Sequence, residues 1–147
     1  MNSPTVEPSS WMRLEIFQRR PIEKELANLE RIIEIGNIFG TKNIRIFSFY
    51  PPDISTNAHY DQYVPEVIDR LGKLTEKAAS AGFYLLHENE KEIVGDTPER
   101  CHALISGVNS SHLRFIWETH LKGKSHFYLK NLLHKILQEW NCLCKLE

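Results

Sequence analysis

Two hydrophobic rhythms take turns along the chain. From Pro21, apolar residues fall at Ile22, Leu26, Leu29, Ile33 and Ile38, with Ile32 beside them. Steps mostly of three and four predict one helical face. Proline suits the first turn, and Gly40 suits the position just past the helix end. Ile44 to Tyr50 is β-branched and aromatic, which predicts a strand that Pro51-Pro52-Asp53 ends. A polar loop is expected to about Asp61. A second helix is expected from about Gln62 to Ser80, with Val67, Ile68, Leu71, Leu74 and Ala78 facing inward and Gly82 ending it. Phe83 to His87 reads as the next strand, followed by Glu88-Asn89-Glu90 and a loop to Asp96. Thr97-Pro98-Glu99 is a helix start, with a hydroxyl cap, a proline and an acid in order. That helix is short and expected to end near Gly107. Leu113 to Trp117 reads as a third strand with Glu118 after it, and Leu129, Leu132, Leu133, Ile136, Leu137 and Trp140 stripe a last helix.

The order is α, β, α, β, α, β, α. Strands that alternate with helices need crossover connections, so the fold class is α/β with parallel strands. Residues 1–20 read as a loosely ordered N-terminal arm, 21–121 as the α/β body, and 122–147 as a C-terminal amphipathic helix and tail. In parallel α/β folds the site lies at the carboxyl ends of the strands. That directs attention to Ser48–Asp53, His87–Asp96 and Glu118–His120.

Composition narrows the function classes. With 147 residues, 41% of them hydrophobic, one core is expected. A complete eight-stranded (β/α) barrel takes about 250 residues, so this length accommodates only part of one. Eighteen basic residues against 19 acidic ones leave a net charge of -1, which gives no footprint for nucleic acid or an anionic membrane. No apolar run is long enough to span a bilayer, and Met1-Asn2-Ser3-Pro4 lacks a signal-peptide pattern. Three cysteines, Cys101, Cys142 and Cys144, form no disulfide framework. The expectation from these features is a protein of the reducing cytoplasm.

Three segments carry a resemblance. Gly-Thr-Lys-Asn-Ile-Arg-Ile-Phe-Ser-Phe-Tyr at 40–50 resembles the fourth-strand region of sugar phosphate isomerase/epimerase proteins, the xylose-isomerase-like TIM barrels. Leu-Leu-His-Glu-Asn-Glu at 85–90 and Gly-Asp-Thr-Pro-Glu-Arg-Cys at 95–101 resemble their fifth strand and the loop after it. Leu-Arg-Phe-Ile-Trp-Glu at 113–118 resembles the sixth strand, with Glu118 where the family reads Asp. The similarity runs over about residues 22–118. Nothing resembles strands one to three, seven or eight, so the resemblance implies a partial TIM barrel.

What the resemblance implies is a metal-dependent isomerase or epimerase of carbohydrate metabolism. Such an enzyme moves a proton between neighbouring carbons of a sugar or sugar phosphate. Glu88 and Glu118 are then the catalytic carboxylates and the metal ligands, and oxygen ligands of this kind suit Mg²⁺ or Mn²⁺. Alternation agrees: Tyr84, Leu86 and Glu88 share one strand face, and so do Arg114, Ile116 and Glu118. Glu90, Asp96 and His120 are candidate substrate contacts, and Asp96 also stands where it could help cap the next helix. Two carboxylates alone make a poor site for ions that hold their water tightly, so a chain of this length without any metal is also an outcome.

The plainer readings stand beside these. Glu88 could be an ordinary loop carboxylate, and Glu118-x-His120 a polar loop. His87 alternates away from Glu88 and is expected to face the helices as a hydrogen-bonded structural residue. Arg45 and Arg114 sit early in their strands, where a barrel base would pair them with acids. Cys142-x-Cys144 is far below a zinc signature. Lys122, Lys124 and Lys130, with three nearby histidines, are too few to argue for nucleic acid. Two other classes stay open. One is a non-catalytic barrel fragment that needs a homodimer or a complementing fragment. The other is a hydrolase or endonuclease of the same superfamily, which would need more metal histidines and a basic face.

Overall fold

The computed structural model describes residues 21–51 and 57–116, apart from the side chains of 57–59. The predicted arm, the last helix, Trp117, Glu118, His120, Cys142 and Cys144 lie outside the described residues. Within them the order is α1 (Ile22–Phe39), β1 (Asn43–Ile46), a 3₁₀ segment (Asn57–Tyr63), α2 (Val64–Ser80), β2 (Tyr84–Glu88), α3 (Pro98–Val108) and β3 (Leu113–Ile116). The three strands form one parallel sheet in the order β1-β2-β3.

Local chemistry sets the element ends. Glu23 and Glu25 stand in the first turn of α1, where carboxylates favour the positive helix end. Gly40 closes α1 in the left-handed conformation at φ 68°, and its N–H bonds back to Asn37 and Gly36. The Thr97 hydroxyl accepts from the Arg100 N–H at 3.3 Å and caps α3 as the sequence predicts. The far end of α3 is at Val108, near Gly107 as expected, and Asn109 is the left-handed cap at φ 49°. Asn tolerates that conformation because its short polar side chain bonds locally.

Burial alternates along each strand. Ile44, Ile46, Leu85, His87, Leu113 and Phe115 are buried, while Asn43, Arg45, Tyr84, Leu86, Arg114 and Ile116 are half-buried. The buried face carries the core, where Ile44, Ile46, Leu85 and Leu113 pack with Leu29, Ile33, Val67, Leu71, Leu74 and Leu104 of the helices. In a closed barrel the opposite face looks into the lumen. One predicted core residue is misplaced. Ile38 is 82% exposed and Phe39 68%, whereas Gly36 is on the buried face. The five-residue step from Ile33 to Ile38 turns about 140° round a helix of 100° per residue, off the inward stripe.

The predicted first strand is also shorter than its composition suggests. Regular pairing stops at Ile46. Ser48 and Phe49 instead tie to the loop after β2: the Val94 N–H donates to the Phe49 carbonyl at 2.8 Å, and the Ser48 hydroxyl donates to the Val94 carbonyl. The stretch read as a polar loop up to Asp61 holds a fully buried aromatic, Tyr60.

A candidate active site at the carboxyl ends of the strands

Register puts the charged strand residues together. Arg45 stands beside Leu86, Leu86 beside Arg114, and Glu88 beside Ile116. Side chains alternate, so Arg45, Leu86, Glu88, Arg114 and Ile116 share the face away from the helices. Glu88 is at the carboxyl end of the central strand, two residues beyond the partner of Arg45, on the face the sequence assigned to it. It is buried, at 4% exposure.

The contact Glu88 makes was not foreseen. The Arg45 Nε donates to Glu88 Oε2 and its Nη2 to Oε1, a side-on fork that engages both carboxylate oxygens. The Arg45 guanidinium also lies 5.3 Å from the centre of the Phe47 ring. Arg45 was expected to pair with acids at the base of a barrel. Its side chain instead runs up the sheet to the carboxyl end. A readable signal existed: a charge in the middle of a strand needs a counter-charge, and Glu88 is the acid in β2. Arg114 behaves differently, stacking over Tyr84 at 3.9 Å from the ring centre, and Tyr84 stacks in turn on His112.

His87 faces the helices, as alternation predicts, but not as a hydrogen-bonded residue. Both ring nitrogens are buried without a partner among the described residues. The ring stacks on Phe115 with centres 6.0 Å apart. Burial pushes its pKa down from 6.5 to about 4, so it is neutral at pH 7. It also lies close behind Gly95, where a Cβ would come within 3.1 Å of its Cε1 and 3.0 Å of Leu104, and where φ is 130°. Cys101 is buried nearby, its thiol donating to the Gly95 carbonyl at 2.9 Å, and burial pushes that thiol's pKa up.

The loops at the rim are cross-braced. Arg100 Nε donates to Asp61 at 2.8 Å, and its Nη1 donates to Asp96 at 2.8 Å. Burial opposes the Arg100 charge, but the two carboxylates outweigh it and hold its pKa above the usual value. Arg100 also lies 5.1 Å from the centre of the Tyr60 ring, and the Tyr60 hydroxyl donates to the Glu92 carbonyl at 3.3 Å. Asp96 therefore holds Arg100, and the α3 cap is Thr97. Glu90 is exposed, and its Oε1 accepts from the Lys91 N–H at 2.7 Å. The structure brings Arg45 and Glu88 together and sets Asp96 on the loop that follows. Glu118 and His120 fall outside the described residues.

Parallel strands that alternate with helices, an inward charged face and a rim of strand-to-helix loops define part of a (β/α) barrel. The sequence profile described as Xylose isomerase-like TIM barrel matches residues 15–120, and the chain belongs to that family. Among solved structures, the chain is similar to the E. coli 3-keto-D-glucoside 4-epimerase YcjR, at 21% identity and a TM-score of 0.66, covering 91% of this chain and 54% of that one. It is also similar to the probable 3-DHS dehydratase AsbF from Bacillus anthracis, at 21% identity and a TM-score of 0.61, covering 77% of this chain and 38% of that one. A third likeness is to a xylose isomerase-like TIM barrel protein from Mycobacterium smegmatis in complex with magnesium. There identity is 20% and the TM-score 0.55, with 76% of this chain and 39% of that one covered. The chain thus spans about two-fifths to half of these proteins. No curated protein matches it in sequence.

A metal is implied by the resemblance, and the residues can be held against it. Among the described residues no three His, Cys, Asp or Glu side chains cluster as a metal site. Glu88 has both oxygens on Arg45, and His87 lies on the opposite sheet face. The described residues do not fit a divalent metal. Nor is any helix among them long and apolar enough to cross a membrane.

Proposed function

We propose that the chain supplies the middle strands of a barrel that isomerises or epimerises a sugar or sugar phosphate, with Glu88 as the proton-transferring carboxylate. The observation that supports this is the position of Glu88: buried, on the lumen face, at the carboxyl end of the central strand. That is where parallel α/β folds place their chemistry. In such a reaction Glu88 takes the proton from the carbon beside a sugar carbonyl, and the electron pair moves onto the carbonyl oxygen. Returning a proton to the opposite face inverts the centre, and returning it to the former carbonyl carbon, while the neighbouring hydroxyl's proton passes to the former carbonyl oxygen, isomerises the sugar. Arg45 positions the carboxylate through its fork. Glu118, two residues beyond Ile116, is the proposed second carboxylate. Glu90, Asp96 and His120 are the proposed contacts to sugar hydroxyls, with Asp96 acting from its bond to Arg100. No step is routed through a metal.

One observation favours a further requirement. Among the described residues β1 and β3 each pair on one side only. A barrel leaves no strand edge open, so we propose that the active form gains strands from outside the described residues, with a second copy or a complementing chain as a source.

The test is proton exchange. The chain is incubated with aldoses, ketoses and their phosphates in D₂O, and ¹H NMR follows loss of the signal beside the carbonyl. Exchange that disappears in Glu88→Gln supports the proposal. Exchange unaffected by Glu88→Gln overturns it, and none from folded protein at any concentration overturns the reading in which a second copy supplies the missing strands.

A further inference from the structure

The family leads one to expect a metal at Glu88, and the side chains there provide a different cation. We propose that Arg45 is the resident cation of the Glu88 site and that its guanidinium keeps divalent metals off that carboxylate. The fork uses two donors on the two oxygens, the planar match that guanidinium makes with carboxylate and ammonium does not. The pair is largely withdrawn from solvent, with the Glu88 side chain 5% exposed and that of Arg45 24%. The buried negative charge is therefore already compensated within the sheet. A divalent ion entering at Glu88 would meet a fixed positive charge on both oxygens, and screening by water is weak there.

Arg45 is also anchored. It is in the middle of β1 beside Leu86, and its guanidinium lies near the Phe47 ring. Guanidinium stays charged at every pH a protein survives, so no change of pH frees the carboxylate. His87, adjacent in sequence, is on the other side of the sheet. Mg²⁺ and Mn²⁺ hold their waters and favour clusters of carboxylates. Among the described residues one carboxylate, already paired with arginine, offers them little.

The assay is Mn²⁺ binding to the whole chain, read by electron paramagnetic resonance and calorimetry. It contains no sugar, so it and the exchange assay fail separately. The wild type is expected to show no Glu88-dependent site at 1 mM Mn²⁺. Arg45→Gln keeps a hydrogen-bond donor for Glu88 but removes the charge, and is expected to bind Mn²⁺ at least about tenfold more tightly than the wild type. Adding Glu88→Gln to that variant is expected to abolish the gain. Micromolar Mn²⁺ binding by the wild type that Glu88→Gln removes would overturn the proposal. So would a folded Arg45→Gln that gains nothing. If Arg45→Gln does not fold by circular dichroism, the ¹⁵N-labelled wild type decides. Paramagnetic broadening of the Arg45 and Glu88 signals by Mn²⁺ refutes the proposal, and their sparing upholds it.

Discussion

His87 makes folding depend on pH in a way that can be calculated. Its ring is fully buried, and both nitrogens lack partners among the described residues. The folded chain takes up a proton there only near pH 4, against 6.5 for an exposed histidine. Between those values the unfolded chain holds the extra proton, so stability falls as pH falls. It is intact above pH 6.5 and the loss is complete below about pH 4. The interval of roughly 2.5 units corresponds to about 3 kcal/mol, of which about 2 kcal/mol is lost by pH 5. That is a large share of the stability of a small domain. His87→Leu removes the titration and leaves an apolar side chain beside Phe115. Urea unfolding at pH 7, 6 and 5, followed by circular dichroism, compares wild type with variant. The other six histidines are common to both chains, so they cancel in the difference. The free-energy gap should shift in favour of the variant by about 2 kcal/mol between pH 7 and pH 5. Parallel curves would refute the reasoning and show that the ring is solvated or paired in solution.

Three further outcomes follow from the same packing. Arg45→Met leaves the buried Glu88 without its guanidinium and should cost about 3 kcal/mol in chemical unfolding, with Glu88→Gln on the same background recovering much of it. Thr75 in α2 carries a buried hydroxyl with no partner among the described residues. Thr75→Val should therefore raise the melting temperature, by a gain of about 1 kcal/mol. A Cβ at Gly107 would overlap the Ile68 side chain where α3 meets α2. Gly107→Ala should thus destabilise by about 1–3 kcal/mol, and Ile68→Val in the same chain should return part of the loss.

Much of this architecture is legible in the sequence. Strand alternation assigns Ile44, Leu85, His87 and Leu113 to the helix side and Glu88 to the lumen, and Thr97-Pro98 marks the start of α3. What escapes is whatever depends on register. Arg45 reaches Glu88 because Asn43 pairs with Tyr84, and no local pattern states that offset. Read alone, β1 places Arg45 near the base. The irregular tie from Ser48 and Phe49 to Val94 is hidden for the same reason, since composition extends the strand where pairing has stopped. Tyr60 escapes because its neighbours are polar, and the cavity it fills is made by other segments. Ile38 shows the opposite error, an apolar residue assigned inward although its step breaks the helical period.

The tie between the loops after β1 and β2 bears on how a ligand would be received. Phe49, Val94 and Ser48 join the two loops by backbone and hydroxyl, and Tyr60 with Arg100 adds a second crossing. Segments bonded in this way open together. The Val94 amide should exchange with solvent as slowly as amides within the sheet, well behind those of ordinary surface loops. A rim that is rigid before anything binds loses little conformational entropy on binding. Discrimination at these tied segments would then come from shape already in place.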